Sequence, residues 1–441
     1  MNTRVVRIAA GVFTLGLVLG AGAARAAKAP KTTDISYYYD NFENGIVRPI
    51  ARQLDPVHDL RTLTHHPKQA ANVDENDEVR LPSTWWTPRA GYHPVSVAQM
   101  LAGPGPGTGP AAGVWTVTRA KTQGVTPGFF IKDPQGARFI LKFDPPGNEE
   151  MATSADAISC VLYWACGYNV PDNTIAFFHP ESLTIAKGAT YVDERGKKRP
   201  MSREFLTRIL AKLPRRPDGS IRTMASRLLA GQPIGPFEYR GRRKDDPEDL
   251  IAHELRRELR GLWAIAAWTN HADVRGPNSL DVWEKEHGRE FVRHYLIDFG
   301  SCLGSGAVAA RAYPTGGEYF IDYGVSATGL ATLGLKPFAW EKTADPHYSS
   351  IGFIESKAFD PVSWRPDYPN PAFDERTDRD VRWGARIVAA IGDDLIRAAV
   401  ARGQLSDPQA AQYLTRVLIE RRDKLAARWV GGVAARNSAA R

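Results

Sequence analysis

The sequence predicts an α+β fold with two lobes, a β-rich lobe near the amino terminus and a mainly helical lobe after it. Short β-rich runs separated by turn residues fill residues 114–143, which favours consecutive antiparallel strands. An apolar helical pattern runs from Pro247 to about Asn270 and is followed by a predicted hairpin. Amphipathic helical patterns continue from Arg379 to Trp429. Strands collected early in the chain and helices collected late are typical of an α+β protein.

A polar pattern after the apolar helix carries the clearest chemistry. His271, Asp273 and Asn278 form the motif H-x-D-x-x-x-x-N, and Asp298 opens an Asp-Phe-Gly triplet further on. Transfer of a phosphoryl group to a hydroxyl needs a carboxylate that accepts the nucleophile's proton, and hard oxygen ligands that hold Mg²⁺. We therefore predict that Asp273 is the proton acceptor and that Asn278 and Asp298 bind the metal. Asp, Asn and Gly also form ordinary turns, so the prediction depends on both motifs occurring together in this order.

The two motifs resemble the catalytic loop and the metal-binding loop of the protein-kinase-like superfamily, in its atypical branches. The long gap between Asn278 and Asp298 is similar to that of HipA-like kinases, and predicted strands at residues 279–284 and 289–297 fill it with a hairpin. Two features depart from ordinary kinases, because the Arg after the His and the A-P-E motif are both absent. The resemblance implies a bilobal protein-kinase-like fold, with ATP and Mg²⁺ (or Mn²⁺) as cofactors and His271 in the catalytic motif.

The resemblance places a nucleotide-binding lobe at residues 114–180. A glycine-containing turn with Gly124 and Gly128 follows its first strand, and such a turn lets backbone N–H groups approach phosphate oxygens. Lys142 in the third strand is then placed to bind the phosphates. Its carboxylate partner is expected in or just before the next predicted helix, at residues 153–166. The sequence leaves three candidates open for this partner: Glu149, Glu150 and Asp156.

The sequence also suggests domain boundaries, but its charge and composition identify no macromolecular partner. We expect an amino-terminal extension with a Gly/Pro linker at residues 27–113, a charged insert at 181–249, and a helical catalytic lobe with C-terminal helices at 250–441. The net charge of +8 suits an anionic ligand such as a nucleotide. Basic runs in the insert have no interleaved aromatic residues and are followed by acids, so they give no specific nucleic-acid signal. The three cysteines predict buried free thiols.

The amino terminus predicts a secretory signal peptide at residues 1–26. Two arginines precede an apolar run from Ile8 to Gly22, and an Ala-Arg-Ala cleavage site ends at Ala26. We expect cleavage there and a periplasmic or secreted mature chain. No later run reaches the ~18 apolar residues of a membrane span, so none is predicted. The chain resembles a group of exported bacterial proteins with the same motifs, and CotH-like kinases indicate that the superfamily works after export.

Two functions from different classes follow from these patterns. The first is an exported phosphotransferase that uses Mg-ATP to modify a hydroxyl acceptor, with AMP transfer as a variant that would use the same metal ligands. The second is a catalytically weak or inactive pseudokinase that acts as a binding or scaffold module. The two acids and the Asn favour the first function, whereas export away from cytoplasmic ATP favours the second. No motif identifies the acceptor.

Overall fold

The computed structural model describes residues 28–53, 67–121, 128–193, 196–306, 309–311, 315–333, 335 and 347–431. The predicted signal peptide and Gly124 lie outside these residues. Within them the chain is an α+β protein with a large β-sheet and a mainly helical carboxy-terminal region. The three cysteines are free and buried, as the sequence predicts. No helix in these ranges is long and apolar enough to span a membrane.

A seven-stranded sheet forms the first lobe. In chain order its strands are β1 (Trp115–Ala120), β2 (Gly128–Lys132), β3 (Arg138–Lys142), β4 (Asn173–Phe178), β5 (Leu183–Val192), β6 (Lys198–Pro200) and β7 (Ile221–Arg227). Their order in space is β4-β7-β3-β2-β1-β5-β6, and only β1 and β5 pair in parallel. Alternate side chains such as Val117, Phe129 and Leu141 are buried in the main apolar core of the lobe.

The region predicted as a charged insert contributes regular structure to this lobe. Residues 181–249 supply β5, β6, β7 and a helix, and Leu183 and Ile221 are among the buried residues of the core. Charged and proline-rich turns separate these elements in sequence, so their apolar residues do not form one readable pattern. The parallel pairing of β1 with β5 also joins segments far apart in the chain, which local sequence does not indicate.

A smaller three-stranded sheet contains the two strands that lie between Asn278 and Asp298 in sequence. It contains β8 (Gln232–Gly235), β9 (Ser279–Glu286) and β10 (Arg289–Leu296), in the order β10-β9-β8. The predicted hairpin is confirmed, because β9 and β10 pair antiparallel with Ser279 opposite Leu296. Just beyond that pair, the Ile297 N–H donates to the Asn278 carbonyl oxygen at 3.1 Å. The open end of the hairpin therefore brings Asn278 beside the chain segment that enters Asp298.

The helical region surrounds one buried helix that leads into the H-x-D-x-x-x-x-N motif. The helices, in chain order, are α1 (Tyr37–Phe42), α2 (Arg48–Gln53), α3 (Val97–Ala102), α4 (Met151–Ala165), α5 (Arg203–Leu210), α6 (Arg257–Thr269), α7 (Tyr323–Ala331), α8 (Pro371–Asp374), α9 (Asp378–Ala389), α10 (Asp393–Arg402) and α11 (Pro408–Trp429). Every residue of α6 is buried. Asn270 ends α6 in the left-handed conformation, with φ 49°, and turns the chain into His271.

Helix α6 begins at Arg257, later than the predicted Pro247. The preceding residues instead form a buried polar network around Asp249. His253 Nε2 lies 2.8 Å from Asp249 Oδ2, and Arg256 donates to Asp249 Oδ1 at 2.9 Å. These bonds satisfy the carboxylate away from a helical conformation, which explains the later start.

Candidate active site

Lys142 joins three separate elements through two ion pairs. Its Nζ lies 3.1 Å from Oδ2 of Asp156 on α4 and 2.7 Å from Oδ1 of Asp298 after β10. Of the three carboxylates left open by the sequence, Asp156 is therefore the one that contacts Lys142. Glu150 instead accepts the backbone N–H of Ser406 at 2.8 Å, and Glu149 accepts that of Gly147 at 3.0 Å.

The charges in this cluster support one another. Burial opposes the charge of Lys142, but the two carboxylates outweigh it and raise the pKa of Lys142 above its ordinary value. Burial also works against the charge of Asp298, yet Lys142 and the nearby Lys121 lower the pKa of Asp298. Burial raises the pKa of Asp156, against the attraction of Lys142. At neutral pH the lysine is thus protonated and Asp298 is ionised.

Asp298 is held in an uncommon backbone conformation and remains accessible. Its φ is 62° and its ψ 61°, in the left-handed region that Asp adopts more readily than bulky residues. Its side chain is 39% exposed, compared with 2% for Asp156. The accessible carboxylate is therefore suited to a ligand, and the buried one is suited to orienting Lys142.

The catalytic-loop candidates Asp273 and Asn278 form a second pair next to this cluster. The Asn278 side-chain amide donates to the Asp273 carbonyl oxygen at 2.7 Å and to its Oδ2 at 2.8 Å. Arg275 forms an ion pair with the other carboxylate oxygen, with Nε 2.6 Å from Oδ1. Burial raises the pKa of Asp273, while Arg275 and then Arg311 counteract the rise. A raised carboxyl pKa is favourable for a general base that works near neutral pH.

His271 is buried behind the loop and is uncharged. Its Nδ1 lies 2.8 Å from the Tyr163 hydroxyl, and its Nε2 has no hydrogen-bond partner among the described residues. Its ring also packs against Phe299 of the Asp-Phe-Gly triplet, with the ring centroids 5.8 Å apart. Burial lowers the pKa of His271 to about 3. The geometry therefore gives His271 a packing contact with the second motif, and an uncharged ring at neutral pH.

Gly128 has a packing reason that the sequence pattern did not reveal. It is the first residue of β2 and pairs with Lys142 of β3. A Cβ added at Gly128 would lie 2.5 Å from the Leu141 carbonyl oxygen, so no larger residue fits without moving the strand. Glycine at this position keeps β2 and β3 in register beneath Lys142.

Three polar residues near the site were not predicted. Lys121 directly follows β1, and burial together with the charge of Lys142 lowers its pKa. Asn173 donates to Oδ1 of Asp156 at 2.6 Å. Arg275 holds Asp273, as described above. Lys121 borders the glycine turn and Arg275 lies within the H-x-D-x-x-x-x-N motif, so their positions in the sequence could have indicated that both lie near the site. The position of Asn173 gave no such indication.

Asp298 and Asn278 are the residues of the site whose side chains suit a divalent metal. Among the described residues, no group of three or more His, Cys, Asp or Glu side chains is arranged to hold a metal ion. Mg²⁺ in phosphoryl-transfer sites is usually held by one or two protein ligands together with phosphate oxygens and water. The Asp298 carboxylate and the Asn278 amide offer oxygen donors of the required kind, on neighbouring segments.

Comparison with known proteins gives only distant similarities. No protein-family model matches the chain, and no curated protein sequence matches it. The solved structure of the Helicobacter pylori proinflammatory kinase CtkA is similar with a TM-score of 0.36 and 12% identity, over 72% of this chain and 95% of that one. The golgi casein kinase is similar with a TM-score of 0.31 and 7% identity, over 73% of this chain and 75% of that one. Similarity at this level is too distant to support a statement about function.

Proposed function

We propose that this chain is an atypical kinase-like phosphotransferase that uses Mg-ATP to phosphorylate a hydroxyl acceptor. The observation that carries the proposal is the double ion pair of Lys142 with Asp156 and Asp298. It joins a strand, a helix and the Asp-Phe-Gly loop beside the Asp273–Asn278 pair. Phosphoryl transfer needs this combination of a phosphate-binding cation, metal ligands and a base. The motif spacing further supports a place near the HipA-like branch, and the predicted signal peptide supports a likeness to the exported CotH-like kinases.

Each side chain has one role in this proposal. Lys142 binds phosphate oxygens and is held in place by Asp156. Asn278 and Asp298 hold the metal, which neutralises charge on the phosphates when it is bound. The oxygen of the acceptor hydroxyl bonds to the γ-phosphorus, and Asp273 accepts the proton that this hydroxyl loses. The bond from that phosphorus to the β–γ bridging oxygen breaks, and ADP is the leaving group.

A binding function is the second candidate, because the apparent metal ligand is already engaged. Asp298 Oδ1 lies 2.7 Å from Lys142, and both oxygens of Asp273 have partners. A pseudokinase that binds nucleotide without transfer would retain these contacts. An active enzyme must exchange the Lys142–Asp298 contact for contacts with the phosphates and the metal.

Labelled ATP separates these functions. The mature chain is incubated with Mg²⁺ and ATP labelled on either the γ- or the α-phosphate, with the chain itself and water as acceptor probes. The proposal expects release or incorporation of the γ-label, and its loss in Asp273→Asn. Transfer of the α-label would indicate AMP transfer instead. Binding without movement of either label would favour the pseudokinase.

We also propose that the mature chain works in the periplasm or outside the cell. The support is the amino-terminal pattern of two arginines, an apolar run and an Ala-Arg-Ala site. Mass spectrometry of the native protein should find an amino terminus at or near Ala27 in the extracytoplasmic fraction. Recovery of an intact Met1 from the cytosol would contradict export.

A further inference from the structure

The first described residues form a strap that runs along the catalytic lobe. We use the term amino-terminal strap for residues 28–44, which have no regular secondary structure up to Ser36 and then enter α1. The Thr33 N–H donates to the Ile234 carbonyl oxygen of β8 at 2.9 Å. The Lys31 N–H donates to Asp245 at 2.7 Å. The strap is thus fixed to β8 and to the segment after it.

Two glycines leave the space that the strap occupies. A Cβ at Gly235, where φ is +98°, would lie 1.9 Å from the Thr33 carbonyl oxygen. A Cβ at Gly276 in the catalytic loop would lie 2.7 Å from Ile35 Cδ1. The contact at Gly235 is to backbone and leaves no room for a side chain, whereas a Cβ at Gly276 would require the end of the Ile35 side chain to move. The sequence of the catalytic lobe is therefore adapted to receive the strap.

The strap meets the candidate base through a chain of charged groups. Asp40 of α1 lies 3.0 Å from the Arg275 guanidinium, which also contacts the Asn41 side chain. The same guanidinium lies 2.6 Å from Asp273. The ring of Tyr368 supports it, with the guanidinium carbon 4.8 Å from the ring centroid. Arg275 is thus held between an acid of the strap and the acid of the catalytic loop.

Arg275 lies between the two acids, so the loss of Asp40 would change how Arg275 contacts Asp273. The side chains of Asp40 and Arg275 are 8% and 11% exposed, so their ion pair is largely shielded from water. The strap draws one end of the guanidinium toward Asp40 and leaves Nε against Asp273. Without Asp40, the poorly solvated guanidinium would keep Asp273 as its main counter-charge and would shift onto it. The carboxylate that must accept a proton would then be displaced or covered.

We propose that Asp40 is a positioning residue, which fixes Asp273 through Arg275 and makes the amino-terminal strap part of the active site. This proposal rests on the phosphotransferase function. Asp40 does not contact the reacting atoms, and its influence passes through a side chain that does contact the base. The strap therefore orders the catalytic loop in addition to covering β8.

A double-mutant cycle tests whether Asp40 acts through Arg275. In the mature chain, Asp40→Ala should lower kcat for γ-phosphoryl transfer by about tenfold or more, because small displacements of a base are costly. The affinity for ATP should remain unchanged. In the Arg275→Ala background, Asp40→Ala should have no further effect on kcat. Glu181→Ala removes an exposed carboxylate outside both the strap and the site and should leave kcat unchanged. An equal, additive loss from Asp40→Ala in both backgrounds would overturn the proposal.

A second variant and a second measurement apply if Asp40→Ala does not fold or if the wild-type chain transfers no phosphate. Asp40→Asn retains the size of the side chain and removes its charge, so it replaces Asp40→Ala if that variant does not fold. If the wild-type chain transfers no phosphate, the phosphotransferase function fails, and hydrogen exchange then decides the role of the strap. The proposal expects Asp40→Asn to speed exchange at residues 271–278 only when Arg275 is present. Unchanged exchange there would exclude a positioning role for Asp40.

Discussion

At the residue scale, the two acids of the motifs differ in burial and in partners. Asp298 is accessible and pairs with a lysine, whereas Asp273 is held by Asn278 and Arg275. These surroundings favour the roles proposed for the two acids, a metal ligand at Asp298 and a proton acceptor at Asp273. The proposed division follows from the environment of each carboxylate, since the two side chains are chemically identical.

Substitution of each acid by its amide tests this division. Asp273→Asn should leave ATP affinity nearly intact and reduce phosphoryl transfer by about 10²-fold or more, because it removes only the base. Asp298→Asn should weaken binding of metal and nucleotide together. Calorimetric titration and a label-transfer assay on both variants give the comparison. Equal losses of ATP affinity in the two variants would contradict the assignment.

His271 makes a separate prediction about stability and pH. Its pKa is about 3 in the folded chain, against an ordinary value of 6.5, so the unfolded state binds more protons between these values. Stability should therefore fall as the pH drops below about 6.5 and continue to fall toward pH 3. Urea unfolding at pH 7 and pH 5 should show a smaller loss in His271→Gln. The exposed His287→Gln is the control, and an undiminished loss in His271→Gln would exclude this cause.

At the element scale, local patterns predicted the hairpin and the helix around Asp156. The predicted strands at residues 279–284 and 289–297 correspond to Ser279–Glu286 and Arg289–Leu296. The predicted helix at residues 153–166 corresponds to Met151–Ala165. Both patterns were readable because turn residues bound the strands and apolar residues recur at helical spacing along the helix.

Contacts between distant segments could not be predicted in the same way. Lys142 and Asp298 are separated by 156 positions, and Arg275 and Asp40 by 235. Lys142 and Asp298 were still predicted as site residues, because each belongs to a sequence pattern with known chemistry. Asp40 belongs to no motif, and within residues 181–249 both β5 and β7 pair with strands from outside that segment. Only the fold brings these groups together.

Arg222 on β7 makes a prediction about the connection between the sheet lobe and the helical lobe. It donates to the Thr153 and Ser154 hydroxyls of α4 at 3.0 and 2.9 Å, and to the Gln404 carbonyl oxygen beyond α10 at 2.9 Å. Arg222→Met would remove these bonds and also the positive charge 3.8 Å from the buried Asp144 carboxylate, so unfolding free energy should fall by about 3 kcal/mol. The exposed Arg215→Met should change it by about 0.5 kcal/mol or less. Equal urea midpoints for the two variants would contradict this role.

At the scale of the whole molecule, the site forms where three parts of the chain meet. The sheet lobe contributes Lys142, α4 contributes Asp156, and the hairpin with its flanking loops contributes Asp273, Asn278 and Asp298. This convergence is what an enzyme that binds a nucleotide between two lobes requires. The central claim is therefore that ATP binds at Lys142 together with a divalent metal.

Calorimetric titration of the mature chain with ATP is the most direct measurement of that claim. The account predicts saturable binding in the presence of Mg²⁺ or Mn²⁺, and little or none without a metal, because Asp298 and Asn278 reach the phosphates through the ion. Lys142→Met should abolish this binding, whereas Lys132→Met, which removes an exposed lysine of β2, should not. A folded wild-type chain that shows no binding with either metal, or equal binding without metal, would contradict the account.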